Sequence, residues 1–421
     1  METLVHGITA PSAVYEIGGR RFEIESRGFA EAIADAHASH QRPRCMCLVD
    51  GVEMYVAHLG EGYIVKRMPE TGSRHARDCS SYEPPAESSG LGQVLGSAIT
   101  EDPATGETTL KLNFPLARMP GRSTMPPAGG ESDSVSSSGT KLSLRGLLHY
   151  LWDQAELTRW HPGFAGKRTW SAVRKHLLSA AEDKIARGAS LRSRLYIPEV
   201  FSVEQRDAIN ARRISLWSQA VAVPGKQQQL MLTIAEVKEI VPARYGFRAV
   251  IKHVPDQAFA LDEQLYRRLA RRFESELALW GAAADIHMLM IATFSVAAAG
   301  IPTILELSLM PATRHWLPVE DGFEMQLVER MVADGRSFVK GLRYNLSAGS
   351  EVASATLTDC EDSAPLLFVD HAGFEGGGRH LQTGDPSVLV WLWNPSNEAM
   401  PSLPPRQPHH PRAVESAVEL R

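Results

Sequence analysis

Three of the four cysteines in this 421-residue chain, Cys45, Cys47 and Cys79, fall between positions 45 and 79, and His75 stands in the same stretch. Cys45-Met46-Cys47 is a C-x-C pair and His75-Ala76-Arg77-Asp78-Cys79 an H-x3-C pair. Together they offer three thiolates and one imidazole, the donor set of a closed zinc site. The H-x3-C spacing places both side chains on one face of a helical turn, and a C-x-C pair can chelate from a strand end. Four protein ligands leave no open coordination position, so the Zn2+ expected here is structural and stabilises a unit with little core of its own. The alternative is that these are small buried residues of a reduced protein. His58, in the middle of an expected strand, reads as a surface or core residue, and the distant Cys360 as a free thiol.

A second set of residues bears on nucleic acid. Between Arg159 and Arg194 nine basic side chains face only Glu182 and Asp183, with Trp160 and Trp170 interleaved. Lys167, Arg168, Arg174 and Lys175 could grip phosphates while an indole stacks on a base. Against this, a basic helix face is usually solvated and tryptophans usually belong to a core. A third set is Glu236-Val237-Lys238 on an expected strand. In nucleases of the restriction-endonuclease type such a pair places a metal-holding carboxylate and a lysine on one strand face. The same alternation is common on exposed strands, and no upstream acid completes the set. The chain contains no G-x-x-x-x-G-K-[ST], G-x-S-x-G or H-E-x-x-H, which disfavours P-loop hydrolases, α/β-hydrolases and zincin proteases. No catalytic residue is assigned.

The elements that must position the cysteines follow from local pattern. Residues 13–24 read as a hairpin, 29–36 as a helix, and 52–58 with 63–68 as a hairpin whose ends would bring the two ligand pairs together. Beyond them, 141–222 reads as helices with apolar faces through Leu144, Leu147, Leu148 and Leu151, and through Trp170, Val173 and Leu177. The second of these spans 169–187, capped by Thr169; Ser202 and Gln205 have the spacing of a capping box. The order strand, strand, helix recurs at 230–280 and at 286–342, followed by a strand pair at 355–358 and 366–369. The expected fold class is α+β: a small N-terminal zinc-binding β-rich unit, a helical middle segment and a C-terminal mixed sheet of ββα-ββα type. The corresponding division is 13–114, a disordered linker at 115–140 rich in Pro, Gly and Ser, 141–222, 228–372, and a disordered tail at 394–421.

Hydrophobic residues make up 43% and charged residues 22%, which excludes a fibrous or wholly disordered chain. The 44 basic and 49 acidic residues leave a net charge of −5, so any nucleic-acid contact has to come from a local patch. The longest apolar stretches, near 286–296 and 303–310, fall well short of the roughly 18 residues of a spanning helix. Residues 1–15 lack the pattern of a signal peptide. The expected compartment is the cytoplasm, with no membrane partner.

Three segments carry a resemblance. RPRCMCLVDGVEMYVAHLGEGYIVKRMPETGSRHARDC, LRGLLHYLWDQAELTRWHPGFAGKRTW and SFVKGLRYNLSAGSEVASATLTD are similar to the bacterial family called domain of unknown function 1173, over about 15–370. The resemblance implies an accessory protein of integrative and conjugative elements or plasmids, with DNA or other mobile-element proteins as partners and no established activity. Some relatives carry an acidic residue where this chain has Ala353-Ser354-Ala355, so a nuclease-like centre there would be degenerate. The leading reading is a zinc-binding, non-catalytic accessory protein that binds nucleic acid. The alternatives are a metal-dependent nuclease-like enzyme using Glu236 and Lys238, and a protein-interaction scaffold.

Overall fold

The runs 231–237 and 288–296 are buried at every position rather than every second one, as strands covered on both faces must be. The computed structural model describes residues 13–59, 62–119, 139–347, 350–360, 363–370 and 388–406. It places the two runs side by side in a closed barrel. Numbered within the barrel, its strands are β1 Met231–Pro242, β2 Phe247–Ile251, β3 Phe259–Leu261, β4 His287–Val296 and β5 Pro302–Ala312. β1 pairs antiparallel with β2 through its second half and with β4 through its first. β2 pairs with β3, β3 runs parallel to β5, and β5 returns antiparallel to β4. The sheet therefore closes in the order 1-2-3-5-4-1.

Inward residues such as Ala235, Val237, Ile251, Phe259, Met290 and Phe294 form one core. The helix Glu263–Arg272 adds Leu265 and Leu269 to it; Asp262 accepts the Leu265 amide at 2.7 Å to start that helix. Outward residues of β1, β4 and β5 (Leu232, Ile234, Leu289, Ile291, Met310) meet Leu147, Leu148 and Leu151 of the helix Leu144–Gln154 in a second core. The expected ββα-ββα sheet is thus a barrel up to Ala312. A separate five-stranded sheet follows, running from Val390–Trp393 through Leu366–Val369, Ala355–Leu357 and Phe338–Lys340 to Arg159–Trp160. The α+β class holds, with several mixed sheets.

Two helices end earlier than their apolar spacing suggests. The expected 169–187 helix is Trp170–Ala180, with Thr169 capping the Ala172 amide at 3.4 Å. Lys184–Ala186 instead pairs parallel with Thr108–Leu110. The helix expected to run to Leu342 is Gly322–Ala333. Gly335 takes a φ of +64°, and the amides of Gly335 and Arg336 close on Val332 and Met331, stopping the helix. The Ser202–Gln205 box does not form: the Ser202 hydroxyl bonds Glu204, and the helix Arg206–Trp217 begins later.

The core also crosses the expected boundary at 114. Val94, Leu110, Leu112 and Phe114 lie in the same cluster as Leu147, Leu191 and Leu232, and Ala117–Arg118 pairs with Gln228–Gln229. Residues 120–138 of the expected linker and 407–421 of the expected tail lie outside the described residues. Residues 394–406 are docked rather than disordered. Trp391 and Trp393 donate to the carbonyls of Ser402 and Glu398, and Arg336 to that of Pro404 at 2.8 Å. Among the described residues no helix is long and apolar enough to cross a membrane.

Candidate metal centre

The N-terminal sheet is antiparallel throughout, in the order Arg20–Glu23, Val14–Ile17, Arg44–Cys45, Val52–Leu59, Gly62–Arg67. One helix, Phe29–Ala38, packs on it through Phe29, Ile33 and Ala36. Among the described residues its buried cluster comprises eight side chains, Cys45 among them, a small core for an independent unit. The hairpin of Val52–Leu59 with Gly62–Arg67 returns the chain beside its starting point, so residues 72–79 lie against 45–47.

Cys45 ends its short strand opposite Tyr15, and Cys47 follows in the turn. The second pair does not sit on a helical turn, as expected from spacing. A 3-10 turn covers Gly72–Arg74, His75 is extended at φ −79° and ψ 158°, and the Cys79 amide closes a tight turn on the Ala76 carbonyl at 2.9 Å. The four donor atoms nevertheless converge within 4.8 Å of one another. The sulfurs of Cys45 and Cys79 are 3.7 Å apart, and His75 Nδ1 lies 3.5 Å from the Cys47 sulfur and 3.8 Å from that of Cys79. A tetrahedron with zinc–sulfur bonds of about 2.3 Å and zinc–nitrogen bonds of about 2.0–2.1 Å has edges of roughly 3.8 Å and 3.5 Å. Three of the six donor pairs therefore already stand at the edge lengths of such a tetrahedron, and the others lie within 4.8 Å. Among the described residues no other group of three or more such side chains converges.

Two backbone amides point at the sulfurs, and the three thiols differ in their tendency to ionise. The Ala76 amide donates to the Cys47 sulfur at 3.5 Å and the Ser81 amide to that of Cys79 at 3.4 Å. The hydrogen bond from Cys45, then those from His75 and the Ser81 amide, lower the Cys79 thiol to about 4. Its neighbours move the other way: the bond to Cys79 and burial push Cys45 up, and burial pushes Cys47 up. Cys45 and His75 are buried, and His75 Nε2 has no partner among the described residues. Cys47 and Cys79 are half-buried, so the cluster reaches from the interior to the edge of the surface.

The unit is tied to the rest of the chain. Lys66 pairs with Asp183, the Tyr55 hydroxyl bonds Glu101, and Arg77, between the last two ligands, reaches the Cys360 carbonyl at 3.4 Å. His58 is exposed and rests edge-on to Tyr63, outside the cluster. Cys360 is buried, with its sulfur 3.3 Å from an Arg336 nitrogen.

The basic stretch is mostly engaged within the fold. Arg168 donates to the carbonyls of Leu157 and Arg159 and lies over the rings of Trp160 and Phe164; burial lowers it to about 10. Arg174 donates to the Ile197 carbonyl at 3.1 Å, and Arg187 to those of Leu112 and Phe114. Lys184 is buried against Asp183. Trp160 and Trp170 are core residues. Lys167 and Lys175 alone of the four candidates are exposed.

Glu236 and Lys238 do not converge. A register shift after Val237 breaks the strand alternation, and Lys238 is exposed. Glu236 is buried and receives Lys252 Nζ and His287 Nδ1, each at 2.6 Å. Burial opposes its ionisation, but these two partners outweigh burial and hold the carboxyl below its usual range. No second acid joins it in a metal-binding group among the described residues. Sequence spacing could not reveal Lys252 and His287 as its partners, because pairing between strands brings them there.

Three cysteines and a histidine at the end of a small sheet form a cluster that could hold a metal ion, in a β unit docked on an α+β body. The chain belongs to the family described as protein of unknown function (DUF1173), whose model matches residues 15–396. No curated protein and no solved structure matches it.

Proposed function

We propose that the protein is a zinc-stabilised, non-catalytic accessory protein of a mobile element that works in the cytoplasm and binds nucleic acid. The observation that carries the reading is the set of Cys45, Cys47, His75 and Cys79, whose four donors converge within 4.8 Å of one another. Such a site holds Zn2+ to secure a fold and keeps no position for substrate. The separation of Lys238 from the buried Glu236 weighs against the nuclease reading.

The test is recovery of the tagged protein from cells carrying its parent element, with and without nuclease. Co-purified nucleic acid that is lost at high salt supports the reading, since phosphate contacts weaken steeply with salt. Partner proteins recovered equally after nuclease, with no nucleic acid, would replace it with the scaffold reading.

A further inference from the structure

We propose that the open outer face of the barrel, over β2 and β3, binds single-stranded nucleic acid. The proposal rests on the nucleic-acid reading above and moves the contact away from residues 159–194.

The outer surface of the barrel is divided. Over β1, β4 and the end of β5 it is buried beneath the helix Leu144–Gln154. Over β2 and β3 it is open, bounded by the loops 243–246 and 297–301. The order 1-2-3-5-4-1, with β3 parallel to β5 and helices between β3 and β4, is the connectivity of OB barrels. In those barrels this same face, between these same loops, takes oligonucleotides or oligosaccharides. A fold does not fix a ligand, so the side chains have to decide.

Register places Val241, Arg248, Ala260 and Thr303 in one row across the open face. Arg248 is exposed in this row, between Val241 and the small Ala260. In the first loop Tyr245 is 81% exposed, with the Arg244 guanidinium 5.3 Å from its ring centre. The loop is fixed behind it: the Ala243 amide bonds the Gly246 carbonyl, and a Cβ on Gly246 would lie 2.4 Å from the Leu261 oxygen. Lys238, Arg244 and Arg248 form no ion pair among the described residues. This contrasts with the internal bonds of Arg168, Arg174 and Arg187. The exposed acids nearby are Glu239 on β1 and Asp262 and Glu263 after β3, and the last two are engaged: Asp262 caps the Leu265 amide and Glu263 pairs with Arg267.

Unpaired cations beside a projecting aromatic ring suit a phosphate chain with accessible bases, with the ring stacking and the guanidinium groups neutralising phosphate. An uncharged oligosaccharide would leave the cations without counter-charges. A duplex keeps its bases stacked on one another and offers Tyr245 none.

The test uses fluorescence anisotropy of the full-length protein, purified without chelators, with a labelled oligothymidylate of about 20 nucleotides, longer than the site of one barrel. Wild type should bind at low salt and prefer this strand to a duplex of the same length. Tyr245→Ala should weaken binding about fivefold or more. Arg248→Gln should reduce the slope of log affinity against log salt by about 0.7. Lys167→Gln with Lys175→Gln should stay within about twofold of wild type. Circular dichroism and metal content, unchanged in each variant, exclude misfolding. If the barrel variants bind as wild type while the Lys167/Lys175 variant fails, the surface is wrong and the nucleic-acid reading stands. A wild-type preference for duplex also overturns the proposal. No binding of either form at low salt overturns both the proposal and the reading.

Discussion

Asp153 shows how one side chain couples the body of the protein to pH. It ends the helix Leu144–Gln154 and accepts the hydroxyls of Thr158 at 2.8 Å and Tyr344 at 3.3 Å. Burial first, then the nearby charge of Glu83, push its carboxyl up to about 6. The folded chain therefore keeps this proton at pH values where the unfolded chain has lost it. Its stabilising share is complete below about pH 4 and disappears as the pH rises through about 6. Asp153→Asn should gain stability relative to wild type across that window, on the order of 1 kcal/mol after allowing for solvent. Urea unfolding at a series of pH values measures it, and a difference between the two proteins that does not change with pH would refute the assignment. At this scale the sequence was most informative where chemistry depends on residue type and short spacing. The convergence of Cys45, Cys47, His75 and Cys79 was legible because the paired C-x-C and H-x3-C spacings flank a hairpin that brings them together. The partners of Glu236 were not, since Lys252 and His287 reach it across strands.

Elements dock through close approaches that a single methyl group would break. Gly90 donates its amide to the Leu342 carbonyl, and a Cβ there would lie 2.0 Å from the Arg343 oxygen. The segment after the metal cluster is held on the body at this point. Gly90→Ala should destabilise the protein by about 1–3 kcal/mol through overpacking, with metal content unchanged. An unfolding midpoint equal to that of wild type would show that the contact yields. The hairpins at 14–23 and 52–67 were legible because alternation and a short turn specify them locally. Barrel closure was not legible, because it depends on β3 meeting β5 and β1 meeting β4 across long intervals of chain. The helix ending at Ala333 misled for another reason: Phe338 and Leu342 continue its spacing by coincidence. Asp334-Gly335 was the stop signal that the apolar periodicity concealed.

At the scale of the whole molecule, one of its cores spans the expected boundary at 114. Residues 94–116 pack with 142–197 and with the barrel. We infer that a chain cut between them stays assembled. A protease site introduced between Gly129 and Gly130 should, after cleavage, give two fragments that run separately on a denaturing gel and elute together on native size exclusion. Separation without denaturant would restore the independent N-terminal domain.

The N-terminal sheet has a small cluster of buried side chains, and in the proposed reading a bound ion supplies the rest of its stability. The most direct test of that account is elemental analysis of protein purified without chelators, alongside Cys79→Ser and Cys45→Ser. The account predicts about one zinc per wild-type chain, a marked loss in both variants, and faster amide exchange confined mainly to residues 40–85 when zinc is lost. Wild-type protein without zinc, or zinc retained in both variants, would contradict it.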